Sequence, residues 1–151
     1  MVVSHERGER DVGTDTAAKP VIASIREEWD WVKPGVEEIL REQPNLTFRA
    51  EDVYAACLNE EAFLWVFPEG FSINTAEKDE YSGDHIFFFW LVWVKKRGQR
   101  TVLEKYVPVF AEIAKEMGFK RIETRTNIPD FERSLLSVGW ERQSATYTRD
   151  L

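Results

Sequence analysis

The sequence predicts one mixed α/β domain, a central sheet flanked by helices, and three consecutive stretches carry that prediction. The run from His85 to Val94 (HIFFFWLVWV) is almost wholly apolar, as a strand buried on both faces would be. Val102, Leu103, Tyr106, Val109, Phe110, Ile113, Ala114 and Met117 then recur near a 3.6-residue period, and Gly118 supplies a left-handed stop. Arg121–Thr126 (RIETRT) is a second strand-like run, so the unit reads as strand, helix and parallel strand joined by a right-handed crossover.

The remaining elements follow in order. Residues 1–20 carry His5, Glu6, Arg7, Glu9, Arg10 and Asp11 without an apolar stretch, which predicts a flexible tail rather than a secretory signal. The domain is expected over 21–151. The run from Val21 to Glu28 (VIASIREE) opens with β-branched residues and suits a first strand, with Trp29-Asp30-Trp31 beginning a connection. Val32, Val36, Ile39 and Leu40 then mark an amphipathic helix with Pro34 in its first turn, stopped by Pro44-Asn45. A second helix is expected at 49–59, with Glu51 and Asp52 near its positive N-terminal end. Ala62–Phe67 and Phe71–Thr75 flank Pro68-Glu69-Gly70 as a hairpin, and 77–83 is polar loop. After the crossover unit come a short helix at 129–138, a Gly139-Trp140 turn, and a last strand at 140–150 whose polar alternation suits a sheet edge. Pro108 falls inside the helical stripe and predicts either a helix start near it or a kink.

Composition narrows the function classes. The 151 residues are 43% hydrophobic, enough for one ordinary domain with a real core. Lys+Arg of 20 against Asp+Glu of 27 gives a net charge of −7, which repels a phosphate backbone and favours a cationic partner over nucleic acid. Cys57 is the only cysteine, so no intramolecular disulfide or cysteine-based metal site forms, and a reducing, cytoplasmic setting is the simplest expectation. His5 and His85 do not make a metal site, and the run from Ile86 to Val94 is too short to cross a bilayer.

The element order β-α-α-β-β-β-α-β-α-β, the basic loop from Lys95 to Thr101 (KKRGQRT), Asn127, and the segment from Ile128 to Trp140 (IPDFERSLLSVGW) together resemble the GNAT superfamily of acyl-coenzyme A dependent N-acyltransferases. The resemblance covers nearly all of 21–151. It implies that the strand at 85–94 splays from the one at 121–126 and that the pantetheine arm of acetyl-coenzyme A lies in the gap, along Trp93, Val94 and Lys95. It also implies that the pyrophosphate meets Lys96, Arg97, Gly98, Gln99, Arg100 and Thr101. There the family pattern Gln/Arg-x-x-Gly-x-Gly/Ala is matched by one glycine only. Taken on charge alone, the same loop is also what a solvated strand-to-helix connection looks like.

The resemblance further implies an amine acceptor, either a small molecule or a protein lysine, whose ammonium must lose a proton to a base. Asp84, His85 and Glu123 are the candidates, each with a surface or core role as the competing reading. Many active members carry Tyr four residues before the Gly-aromatic turn to protonate the coenzyme's thiolate. Here Leu135 stands at that position; Ser134 and Ser137 flank it, and Tyr147 on the expected last strand is a further candidate to stand in for the missing hydroxyl. The departures in the glycine loop and at Leu135 keep a second reading open, a degenerate GNAT-like binding or structural module of the kind found among bacteriophage virion proteins, with a protein assembly partner. A homodimer is open in either case. A β-rich ligand-binding module unrelated to GNAT is a third reading, and it requires the stripe at 102–117 not to be a helix. Trp65, Trp90 and Trp93 read as core, whereas Trp29 and Trp31 read as either core or acceptor contacts.

Overall fold

The computed structural model describes residues 19–95 and 99–151. Its elements are β1 (Val21–Ala23), α1 (Ile25–Glu42), α2 (Ala50–Leu58), β2 (Phe63–Phe67), β3 (Gly70–Lys78), β4 (His85–Val94), α3 (Gln99–Glu116), β5 (Arg121–Thr124) and α4 (Pro129–Ser137). The strands form one sheet in the order β1-β2-β3-β4-β5. Every neighbouring pair is antiparallel except β4 and β5, which are parallel and joined through α3, as the sequence predicts.

Helices cover both faces of the sheet, and strand alternation sorts the core into two halves. Leu64, Phe71, Ile73 and Leu91 pack with Val32, Val36 and Ile39 of α1 and Val53 of α2. Trp65, Phe67, Phe87 and Phe89 pack on the opposite face with Tyr106, Phe110 and Ala114 of α3. Gly35 lets α1 lie close on the sheet, since a Cβ there would come 2.7 Å from the Phe71 ring and 2.9 Å from Trp93. Gly118 ends α3 at φ +91, and Phe119 N–H returns to the Ala114 carbonyl at 2.9 Å. Gly139, at φ +99, ends α4 in the same way, with Trp140 N–H on the Leu135 carbonyl.

Four boundaries differ from the sequence reading. β3 runs two residues into the expected loop, because Glu77 and Lys78 pair with Ile86 and His85 of β4. The first strand stops at Ala23 because Ser24 caps a helix, its Oγ accepting from Glu27 N–H, with Glu27 and Glu28 in the first turn. That helix absorbs Trp29–Trp31, which places Pro34 in its interior rather than its first turn. In α3 the helix begins at Gln99 and passes through Pro108, which lies on its exposed side. The last strand expected at 140–150 is not formed: residues 141–151 have no regular structure and are exposed throughout. Their apolar residues are only Ala145, Tyr147 and Leu151, too sparse a face to fix a register against β5.

Candidate active site

The central feature is a fork in the sheet. β4 and β5 pair from Ile86↔Arg121 to Phe89↔Thr124, where the ladder ends, while β4 runs on to Val94. Thr124 Oγ1 closes the crotch by donating to the Phe89 carbonyl at 3.0 Å. Past that point the β5-facing edge of β4, over residues 90–94, has no strand beside it.

A β-bulge sits at the same place. On the β3 side Ile73 pairs with Leu91 and Asn74 with Phe89, leaving Trp90 as an extra residue. Side-chain directions show its effect. Phe87 and Phe89 face α3, yet Leu91 and Trp93, of the same parity, face α1. Trp90 also turns to the α1 side, where Phe48 from the α1–α2 connection meets it at 5.0 Å between ring centroids. The bulge therefore releases one residue's backbone from the ladder at the mouth of the fork.

One concavity adjoins the fork on the α3 side, and a second lies on the surface shared by α3 and α4. One is an apolar cavity of about 40 Å³ between the sheet, α3 and α4, bounded by Phe89, Val92, Thr124, Leu135 and Trp140 among others. The other is an open depression of about 580 Å³ lined by Arg100 at the start of α3 and by Asp130, Arg133, Ser134, Leu136 and Ser137 of α4. The first turn of α3 brings helix N–H groups that have no intrahelical partner, and Arg100 and Arg133 add two guanidinium groups, each also paired with a carboxylate, Glu104 and Asp130 respectively. The bare strand edge and the N–H groups of the α3 N-terminus suit an elongated ligand with an anionic end.

The open end of β4 is braced by the β2–β3 turn. Lys95 N–H donates to the Glu69 carbonyl at 2.6 Å, and the Glu69 carboxylate accepts from Lys105 Nζ at 2.8 Å and Tyr106 Oη at 2.5 Å. Burial pushes the Glu69 carboxyl up, but the hydrogen bonds from Lys105 and Tyr106 and the lysine charge outweigh it and hold the group below the usual carboxylate value. A depressed folded-state value adds stability that is complete above the unfolded value of ~4.3 and disappears as pH falls through the folded value. Glu69→Gln is therefore expected to lower the melting temperature at pH 7, with the gap to wild type closing below about pH 4. A gap of the same size at pH 3 would trace the loss to packing instead.

The sequence-derived candidates distribute unevenly around the fork. Trp93, Val94 and Lys95 lie on or just past the unpaired end of β4; Trp93 Nε1 donates to Glu38 at 3.1 Å, and Lys95 Nζ stands 5.3 Å from the Trp31 ring centroid. Lys96, Arg97 and Gly98 lie outside the described residues. Gln99 opens α3, and Arg100 and Thr101 follow, exposed, in its first turn. Asn127 is exposed in the β5–α4 connection, next to Thr126, whose Oγ1 accepts from Ile128 N–H. Asp84 and His85 stand at the far end of β4, four residues or more before the ladder's last pair and so roughly 14 Å away at ~3.4 Å per residue. Glu123 lies one residue before that pair and is held by Arg121 Nε at 2.6 Å. Tyr147 is 89% exposed on the terminal segment. Cys57 is no nucleophile, because burial pushes its thiol up to about 11.

Sequence reasoning missed the Trp90 bulge and the contribution of Arg133. A bulge is invisible in an all-apolar run, and Arg133 reaches the site only because α4 packs beside α3. Among the described residues no cluster of acidic, His or Cys side chains suits a metal ion, and no helix is long and apolar enough to cross a membrane.

The same arrangement of elements recurs in solved structures. One is an aminoglycoside acetyltransferase from an uncultured soil metagenomic sample, solved with sisomicin: TM-score 0.63, 16% identity, 91% of this chain and 99% of that one covered. The ribosomal-protein-alanine N-acetyltransferase of Brucella melitensis biovar Abortus 2308 matches with TM-score 0.65, 12% identity and coverage of 89% and 99%. A tetramutant of the BH1408 protein from Bacillus halodurans matches with TM-score 0.70, 14% identity and coverage of 87% and 99%. The chain has the GNAT fold. No protein-family model and no curated protein sequence matches it. GNAT-type architecture also accounts for the order of the described elements up to α4, with the strand expected after α4 absent here.

Proposed function

We propose that this protein is an acyl-coenzyme A dependent N-acyltransferase acting on a primary amine, in a small molecule or at a protein lysine. The observation that carries the reading is the fork: β4 keeps its outer edge bare over 90–94, and α3 opens shortly beyond that edge at Gln99. The bare edge offers backbone groups to the pantetheine amides, and the α3 N-terminus with Arg100 and Arg133 receives the pyrophosphate. The bound coenzyme supplies the activated thioester. In this reading the backbone freed by the bulge at Trp90 donates to the developing oxyanion. Glu123 is the sequence candidate nearest the fork and takes the role of base on the acceptor side, with Arg121 fixing its carboxylate. The net charge of −7 favours a cationic acceptor.

Calorimetry with acetyl-coenzyme A tests the reading. Binding is expected in the micromolar range and should weaken as salt rises, because cationic groups meet phosphates. Arg100→Ala combined with Arg133→Ala should cost at least tenfold in affinity, equivalent to ~1.4 kcal/mol. No heat and no thermal shift at millimolar coenzyme would overturn the proposal and leave the fold to a binding or structural role.

A further inference from the structure

β5 presents two different faces. Ile122 packs into the half of the core that carries α3, and Thr124 lines the cavity on that side. Strand alternation sends Arg121, Glu123 and Arg125 to the opposite face, the one that carries α1. Phe88, paired with Glu123 across the ladder, points the same way, and the Arg125 guanidinium lies over its ring at 4.4 Å from the centroid. Glu123 stands just before the last pair of the ladder and Arg125 just after it, so this row of charges crosses the point where the strands part.

The charges of the row are unequally engaged. Arg121 Nε donates to Glu123 at 2.6 Å and fixes that carboxylate. Arg125 Nη2 donates to Glu77 at 3.4 Å, a long bond, and the arginine side chain stays 71% exposed. A guanidinium carries five N–H donors in a fork that matches a carboxylate with two parallel bonds, so most of this capacity stays open to a ligand. Stacking on Phe88 holds the head group beside the fork. Farther along β4, Trp90 turns to the same face and meets Phe48 of the α1–α2 connection at 5.0 Å between ring centroids, which adds an aromatic wall. Glu123 and Arg125 are two residues apart, roughly 7 Å along the chain, a span that a small molecule with neighbouring ammonium and carboxylate groups bridges.

We infer that the acceptor is a free amino acid with an apolar or aromatic side chain, its carboxylate held by Arg125 and its amine directed to Glu123. Resting on the acyl-transfer reading, this assignment decides between the two acceptor classes left open there. A lysine within a protein chain has no carboxylate beside its amine, and a simple alkylamine has none either. The acceptor lies on the α1 face, opposite the α3 side to which the coenzyme's phosphates are assigned, so the two substrates do not compete for one surface. Its ammonium retains the attraction expected from a net charge of −7, while Arg125 reads the carboxylate locally. In the transfer the amine gives a proton to Glu123 and its nitrogen forms the C–N bond to the acyl carbon. The C–S bond breaks and the thiolate takes up a proton, leaving an N-acyl amino acid and free coenzyme A.

The test is calorimetry on the full chain, with and without saturating coenzyme A, comparing L-phenylalanine with phenethylamine, the same amine without its carboxylate. L-phenylalanine is expected to bind more tightly by about tenfold or more, the contribution of one charge-assisted pair. Arg125→Ala should erase this advantage while leaving phenethylamine and coenzyme A unaffected, and Arg125→Lys should restore part of it. Equal affinities in the wild type, or no heat from L-phenylalanine at millimolar concentration, would overturn the inference without recourse to a variant. An equal loss for both ligands in Arg125→Ala would also overturn it, since the arginine would then support the fork rather than hold a carboxylate. A chain that takes up coenzyme A and shows no preference loses the amino-acid assignment alone. One that takes up no coenzyme A yet prefers L-phenylalanine keeps the carboxylate site and loses the acyl-transfer reading.

Discussion

Gly70→Ala is expected to destabilise the protein by about 3 kcal/mol or more, at the upper end of what overpacking one site costs. Gly70 is the first residue of β3 and pairs with Val94, the last of β4. A Cβ built there falls 2.0 Å from the Trp93 carbonyl oxygen and 3.0 Å from the Val94 Cα. These are backbone atoms inside a ladder, so they cannot swing aside as the end of a side chain would. Relief requires the strand ends to part, and that also breaks the bond from Lys95 N–H to the Glu69 carbonyl. For a domain of about this size, ~1 kcal/mol corresponds to ~2–4 °C in melting temperature, so a fall of roughly 10 °C should be seen in a thermal scan.

Gly83→Ala provides the contrast. Gly83 has φ +77 and nothing within 4 Å of a built Cβ, so the cost there is conformational alone, about 1 kcal/mol. Equal losses at the two glycines would show that the close approach at Gly70 is not what the substitution disturbs. The unequal loss has a functional counterpart, since Gly70 fixes the path of β4 over the stretch whose outer edge is bare. Any folded Gly70→Ala protein should also bind acetyl-coenzyme A less tightly than wild type.

How far the sequence reached follows from the kind of information each element needed. The α3 stripe and Gly118 were readable because a 3.6-residue period and a left-handed stop are local properties, and they hold in the structure. The crossover from β4 to β5 followed from order alone. The start of α1 was hidden because Val21, Ile22 and Ile25 favour a strand locally, while Ser24 acts only through the N–H of Glu27 three residues on. The bulge could not be read at all: in HIFFFWLVWV both parities are apolar, so a change of face at Trp90 leaves no trace in the pattern. The site shows the same division. Lys95, Arg100 and Thr101 were legible as a basic stretch at a strand-to-helix junction, but Arg133, Ser134 and the cavity behind Leu135 depend on how α4 settles against α3.

Position 135 also bears on turnover, the largest effect expected in this protein. Leu135 is buried in α4, facing the cavity beside the fork, and has no proton to give to a departing thiolate. Tyr147, the sequence candidate for that role, stands exposed on the terminal segment and is not among the residues that line the cavity. A missing general acid costs ~10²–10⁴-fold in rate. Wild-type transfer from acetyl-coenzyme A to a simple amine is therefore expected to run well below the ordinary enzyme median of ~10 s⁻¹. Leu135→Tyr should raise the rate of thiol release from acetyl-coenzyme A by at least tenfold, because the phenol would enter the cavity and reach toward the thiolate. Wild-type turnover at the median rate would show that water, or a group not facing this cavity, already protonates the thiolate, and Leu135 would then matter only for the shape of the site.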